Sequence, residues 1–311
     1  MKRPHLVLGI GELLWDLLLQ GARLGGAPAN FAVMASRLGS HSVILSRLGR
    51  DELGQRAMAE LEKLQADASH VQIDASHATG QVTVVLEQGQ PRYTIHEGAA
   101  WDFMELSDAW LQLAERADAI CFGSLAQRNE QSKRTIQELV ASTSSSCVRV
   151  FDVNLRRPYL LSDVVEESLE LATVAKLNDE EVPQVLEMLG LEQVSGESSE
   201  ALREGAERLL EEFENLDLVA VTRGGHGSLL VRRGEWHEHP GVPVKVVDTI
   251  GAGDAFTAAM THSLLQGAGL AELNEAGNRW GSWVASQSGA MPELSREGLE
   301  EISQQIRAAR E

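Results

Sequence analysis

The sequence predicts an α/β protein: a mainly parallel sheet with helices on both faces, plus a small β-flap over one edge. Three observations carry that expectation. From residue 119 onward, short apolar runs alternate with amphipathic stretches of ten or more residues, the pattern of βαβ units. Two segments, roughly 13–26 and 79–98, break the alternation, and the second reads as a hairpin across Gln88-Gly89-Gln90-Pro91. No linker divides the 311 residues, so one domain is expected over 1–311, with the flap built from those two segments.

The elements follow in order. Residues 5–11 form a short apolar run ending in glycines, a buried strand by pattern. Residues 29–38 (ANFAVMASRL) carry helical spacing and stop at Gly39, and 41–48 (HSVILSRL) reads as a strand ending at Gly49. An amphipathic helix is expected over 52–64, and strands over 82–86 and 92–96 make the hairpin. Next come strand 119–122, helix 129–141, a Ser/Thr-rich connector, strand 148–153, helix 163–172 and strand 173–177. Helices 179–189 and 199–214, strand 218–222 and a hairpin of 228–231 with 235–238 follow. Val246-Val247 reads as a last short strand handing over to a helix. In such sheets ligands bind at the carboxyl ends of the strands, and a flap there acts as a lid that excludes water.

Apolar residues make up 43% of the chain, and Lys+Arg 27 against Asp+Glu 46 leaves a net charge of −19. That surface repels polyanions, so nucleic acid and anionic membranes are poor partners. A small anion held by local backbone dipoles is not excluded. Cys121 and Cys147 lie in or beside apolar runs, which points to buried thiols and a reducing, cytoplasmic compartment. The N-terminal MKRPHLVLGIGELLWDLLL does not read as a signal peptide, because Glu12 and Asp16 interrupt it and no small-residue cleavage site follows. No apolar run reaches membrane-spanning length.

Several motifs fall away. GIGELL lacks the third glycine of a dinucleotide loop, and no acid follows a clear second strand at the required distance. There is no Gly-Lys pair for a Walker A loop and no GxSxG elbow. His237-Glu238-His239 is too tightly spaced for a helical zinc site and reads as a histidine cluster in a turn.

The stretch VVDTIGAGDAF, residues 246–256, has chemistry of its own. Small residues at a helix start leave the N–H groups of Ala252, Gly253 and Asp254 unpaired and open, and the helix dipole adds positive charge there. Phe256, Ala259, Met260, Ser263 and Leu264 give that helix one buried stripe. A plain reading stays open, with glycines as turn-makers and Asp254 as a dipole partner worth about 0.3–1 kcal/mol. Phosphoryl transfer would use both features. Backbone donors would hold charge on the moving phosphoryl oxygens, and the carboxylate would accept the proton of the attacking hydroxyl. The dipole is expected to lower the Asp254 pKa, which is tolerable where positioning matters more than base strength.

DTIGAGD (248–254) resembles the C-terminal signature of the ribokinase-like, PfkB-type carbohydrate kinases, and further motifs occur in that family's order. Gly25-Gly26-Ala27-Pro28-Ala29-Asn30 is similar to its GGxxxN sugar-binding motif, and LSRLGRDELG (45–54) to the pattern that follows. Asn178-Asp179-Glu180-Glu181 resembles the NxxE motif, VTRGGHGS (221–228) the TxGxxG nucleotide loop and GAMP (289–292) the closing segment. The set spans nearly the whole chain. GELLWD, GQPRYTIHEGAAWD and FDVNLRRPYL look most like bacterial fructokinases. The resemblance implies a ribokinase-like three-layer α/β/α fold with a β-sheet lid, and ATP-dependent phosphorylation of a small sugar, D-fructose foremost, with Mg²⁺. Ribose, 2-keto-3-deoxygluconate or a nucleoside as acceptor, and a catalytically silent sugar- or nucleotide-binding regulator, are the alternatives.

Roles follow from the same resemblance. Asp254 is expected to be the catalytic base, with Gly251, Ala252 and Gly253 lining the anion site. Asp16, placed at the end of the first strand region, together with Gly26 and Asn30, would meet sugar hydroxyls, Gly26 by letting ligand approach the backbone. Asn154 and Arg156 would join them after the strand VRVFDV. The plain counterparts are a loop acid for Asp16, a helix-start cap for Asn30 and a solvated loop for Asn154 and Arg156. Asn178, Thr222, Gly224, Gly227 and Asn278 would hold the nucleotide, and Glu181 would hold Mg²⁺ through water. Asn178 also reads as a cap of helix 179–189. Asp248 and Ile250 would offer backbone carbonyls to a monovalent cation such as K⁺. In relatives that do so a serine follows Gly-Ala-x-Pro, whereas Glu293 stands here, so potassium is left open. The exposed lid face is the expected surface for a homodimer.

Overall fold

The computed structural model describes residues 3–18, 21–87, 90–194, 196 and 198–308. At its centre is an eight-stranded sheet in the order Glu235–His239, Ser228–Arg232, Leu218–Thr222, Val174–Asn178, Val148–Asp152, Ala119–Gly123, Leu6–Ile10 and His41–Leu45. The last six of these pair in parallel, and the two hairpin strands at the other edge are antiparallel. Strand side chains alternate between two cores, as the two-residue repeat requires. Leu6, Leu8 and Ile10 join one core with Phe122, Phe151 and Leu177, while Val7, Cys121 and Val150 face the other.

The first core is closed by helices Asp108–Ala114, Glu130–Ala141, Ser162–Leu171, Glu181–Met188 and Ser199–Glu212. Helices Ala27–Arg37, Ala252–Leu265, Leu270–Ala285 and Arg296–Ala308 close the second. The result is the three-layer α/β/α fold with a mainly parallel sheet that the sequence predicts. Cys121 and Cys147 are free and buried. Among the described residues no helix is long and apolar enough to cross a membrane.

A second sheet has four strands in the order Gly21–Gly25, Leu14–Leu18, Gly80–Glu87 and Gln90–Ile95. Both segments that break the βα alternation therefore meet in one small sheet; Gln88 and Gly89 of the expected turn lie outside the described residues. Leu14–Leu18 runs antiparallel to Gly21–Gly25, which sets Asp16 opposite Arg23. Leu13, Trp15, Leu24, Ala29, Val33, Leu48 and Leu61 form a third apolar cluster.

Several local expectations need correction. The run 41–48 splits at Ser46, whose Oγ donates to Gly11 O at 2.7 Å; Arg47–Gly49 then pairs with Gln72–Asp74 in a separate sheet. Val246 and Val247 form no strand, and they are 60% and 59% exposed. β-Branched composition does not make a strand without an edge to join: Val247 N–H donates instead to Ala285 O. The His237-Glu238-His239 cluster lies in a strand, not a turn, with His239 Nε2 2.8 Å from Glu275. Helix Ala252–Leu265 has more than one buried stripe, because residues 255–261 are all buried, five of them in the second core.

Candidate active site

The parallel strands end on one side of the sheet, and the expected polar residues follow them there. Glu12 comes after Leu6–Ile10 and Asn154 after Val148–Asp152, while Asn178 and Thr222 are the last residues of their own strands. The start of helix Ala252–Leu265 completes the site. Gly251, at φ +79, precedes this helix; a Cβ there would lie 2.6 Å from Ala290 Cα, so both conformation and packing require glycine. Ala252 N–H is not fully open, since it donates to Thr249 O at 3.2 Å. The N–H groups of Gly253 and Asp254 have no partner among the described residues, so two amides remain rather than the three expected.

Asp254 meets Asn30 side chain to side chain: Asn30 Nδ2 donates to Asp254 Oδ2 at 2.7 Å, across 224 residues of sequence. Asn30 is not a helix-start cap. It lies inside helix Ala27–Arg37, is buried, and its Oδ1 has no partner among the described residues. Burial raises the Asp254 pKa to about 6, aided by Asp152 and opposed by Asn30, Lys176 and Arg156. The expected depression by the helix dipole is therefore overturned: loss of solvation outweighs a dipole confined to the first turn. A carboxylate ionising near 6 is a better base than an ordinary aspartate.

Beneath the helix start lies a buried ion pair that the sequence reading missed. Lys176 Nζ is 3.1 Å from Asp152 Oδ1, and Thr257 Oγ1 donates to Asp152 Oδ2 at 3.0 Å. Burial works against the lysine charge, but Asp152, Glu181 and Asp254 outweigh it and raise its pKa. A Cβ on Gly253 would stand 3.2 Å from Nζ, so the ammonium lies directly against the glycine turn. The available signal was a charge inside each apolar strand, in VAKLN and VRVFD.

Glu12 was also missed. Its Oε1 accepts from Ala27 N at 3.2 Å, its Oε2 is buried without a partner among the described residues, and burial raises its pKa to about 7. Gly26, at φ +125, is required by the chain itself, since a Cβ would lie 2.2 Å from Glu12 O. Asp16 does not end the first strand; it sits in the small sheet, half-buried, and burial raises its pKa. Arg156 is exposed, and its charge acts on Asp16, Glu12 and Asp254 together, which places the three acids around one arginine. Asn154 adopts a left-handed backbone, φ +42.

Around Asn178 and Thr222, side chains are largely engaged with the protein. Asn178 Oδ1 accepts from Glu181 N at 2.9 Å, while Glu181 Oε2 accepts from Asn178 N at 2.8 Å, a reciprocal helix cap. Glu181 Oε1 also accepts from Leu155 N at 2.8 Å. With one amide on each oxygen, Glu181 suits a water-mediated contact to Mg²⁺ better than direct ligation. Thr222 Oγ1 donates to Leu177 O at 3.3 Å. Gly227 is required by its own hairpin, where a Cβ would lie 2.0 Å from His239 O, whereas Gly224 faces open space. Asn278 Nδ2 is held by Ser228 Oγ, 2.7 Å, and by Asn274. Asp248 accepts from Arg23 Nη1 at 2.7 Å, from Gly289 N and from Ile250 N; Ile250 itself is 38% exposed.

Comparison with known proteins agrees with this geometry. The description "pfkB family carbohydrate kinase" matches residues 21–296. A sugar kinase of Pyrococcus horikoshii is 33% identical over 282 residues, 85% of this chain and 84% of its own. The crystal structure of that uncharacterized kinase in complex with ATP superposes with a TM-score of 0.78 at 30% identity, covering 95% of this chain and 99% of the other. Fructokinase of Salmonella typhimurium is 33% identical over 267 residues, 82% and 83% of the two chains. Fructokinase of Vibrio cholerae, solved with fructose, ADP and calcium, has a TM-score of 0.77 at 26% identity over 96% and 98%. A double mutant of the latter, solved with fructose, ADP and potassium, has a TM-score of 0.78 at 25% identity over 97% and 99%. The chain belongs to the PfkB family of carbohydrate kinases.

Proposed function

We propose that this protein transfers the terminal phosphoryl group of ATP to a hydroxyl of a small sugar, D-fructose foremost. One observation carries the reading: a carboxylate raised to about 6, aligned by Asn30, stands in the first helical turn beside two open amides. In the reaction, the sugar oxygen bonds to the γ-phosphorus as the bond to the β–γ bridging oxygen breaks. ADP leaves, and the hydroxyl proton passes to Asp254. The Gly253 and Asp254 amides hold charge on the equatorial oxygens, and the Lys176 ammonium beneath the turn adds positive potential. When bound, Mg²⁺ would neutralise charge on the phosphates, and Glu181 would hold it through water.

Asp16, Asn30, Asn154 and Arg156 are proposed to bind the sugar. Thr222, Gly224, Gly227 and the Asn178 loop are proposed to carry the nucleotide, chiefly through backbone. The small sheet would close as a lid and offer its outer face to a second copy, which mass measurement in solution tests. Two free, buried cysteines support a reducing, cytoplasmic setting.

An ADP-release assay across fructose, ribose, 2-keto-3-deoxygluconate and a nucleoside, at saturating Mg-ATP, tests the function. The expected result is the highest kcat/KM with fructose. Another acceptor winning would reassign the substrate, which the exposed Arg156 favours if it is a sugar acid. Binding by calorimetry without turnover would make the protein a silent regulator.

A further inference from the structure

Asp248 and Ile250 belong to the loop that the family resemblance marks for a monovalent cation, and the Vibrio cholerae double mutant was solved with potassium. The resemblance assigns the cation to the Asp248 and Ile250 carbonyls, and in this chain the Asp248 carboxylate beside them already holds a positive charge. Arg23, on the small-sheet strand Gly21–Gly25, places Nη1 2.7 Å from Asp248 Oδ2 and Nη2 3.0 Å from Ser288 Oγ. The same Oδ2 accepts from Gly289 N at 3.1 Å, and Oδ1 accepts from Ile250 N at 3.1 Å. The carboxylate thus has a resident positive charge and two amides, against roughly four lone-pair sites. Glu293, where the relatives noted above carry serine, removes a neutral oxygen donor from the closing segment.

We infer that the Arg23 guanidinium takes the place of a monovalent cation at Asp248, so that the anion-binding turn is ordered without potassium. A bound cation in such a loop draws oxygen groups of two segments together. Arginine does the same with directed, charge-assisted hydrogen bonds, and it never loses its proton. The segments joined here are the residues just before Gly251 and those around Gly289. Gly251 packs directly on Ala290, so a shift of either segment moves the turn that carries the Gly253 and Asp254 amides. The pair is partly open, with side-chain exposures of 33% for Arg23 and 19% for Asp248, so its screened Coulomb energy is small. Its function is to hold the loops in place. Because Arg23 stands on the small sheet, the tether also links that sheet to the loop. Arg23 lines a groove of about 450 Å³ with helix Glu52–Lys63 and residues 288–291, which gives small ions access once the guanidinium is removed.

The inference rests on the phosphoryl-transfer reading for its turnover arm only; melting and ADP binding test it without a sugar. Wild type, Arg23→Met and Arg23→Lys are compared in potassium chloride and in tetramethylammonium chloride, each at about 0.1 M, where the Debye length is about 10 Å. Wild-type kcat/KM, ADP affinity and melting temperature should agree within about twofold, or about a degree, between the salts. Arg23→Met should lose at least about tenfold in kcat/KM and in ADP affinity in tetramethylammonium. Potassium should restore most of both and raise its melting temperature. Arg23→Lys, which keeps the charge, should stay insensitive to potassium. Wild type activated about tenfold or more by potassium overturns the inference, and that arm needs no variant to fold. So does an Arg23→Met protein that matches wild type without potassium. A loss that potassium does not repair in any of the three readouts also overturns it, because it marks Arg23 as a structural tether alone.

Discussion

Asp254 and Asn30 are 224 residues apart in the chain and meet through their side chains, whereas Thr222, Gly224 and Gly227 share one short loop and offer chiefly backbone. On the Asp254 side, charged and polar groups are buried at close quarters: Glu12, Asp152, Lys176 and Asn30 all have little exposure. On the Thr222 side, polar side chains are already engaged, Asn278 donating to Ser228 and Asn178 accepting from its own helix. The difference teaches which side responds more strongly to substitution. Buried, partly unsatisfied groups are costly to keep and respond strongly to what binds them, while a backbone loop recognises shape and tolerates side-chain change.

Four substitutions sharpen or break that contrast. Asp254→Asn should lower kcat by about a hundredfold to ten-thousandfold, measured by ADP release. The same variant should be more stable than wild type at neutral pH. A folded pKa of about 6 above an unfolded value of 3.8 means that stability linked to the protonated form is complete below 3.8 and lost as pH rises through 6. The gain in melting temperature should therefore appear above pH 6 and vanish below 3.8.

Lys176→Met should destabilise the fold by about 3–5 kcal/mol in urea titration, because it leaves Asp152 buried and unpaired. Asn30→Ala should raise the sugar KM about tenfold and move the acid limb of the pH profile upward, since Asn30 holds the Asp254 pKa down. Thr222→Val should change the ATP KM by less than about threefold, because its hydroxyl makes a single 3.3 Å bond to Leu177 O. A Thr222→Val effect as large as that of Asn30→Ala would remove the distinction between the two sides.

Periodicity in the sequence identified the fold well, because buried parallel strands and amphipathic helices must repeat at two and at about three and a half residues. It failed at Val246-Val247, where composition favoured a strand but no sheet edge was within reach. Asp254 and its glycines were visible, since a helix start with small residues has a local signature. The partners that tune Asp254 were not. Lys176 and Asp152 look like isolated charges in two separate strands until the parallel pairing sets them side by side, Asp152 opposite Lys176. Arg23 is similarly unremarkable until the small sheet brings it to Asp248. Gly26 carries a constraint of its own, the backbone of Glu12, a contact that only the fold reveals.

The central claim is that Asp254 takes the acceptor's proton, and the pH dependence of kcat/KM with fructose and saturating Mg-ATP tests it most directly. Wild type should lose activity below pH 6, tenfold for each unit, while Asp254→Asn should be slow and flat through the same range. An Asp254→Asn enzyme that keeps near-wild-type turnover, or shows the same inflection, would contradict the account.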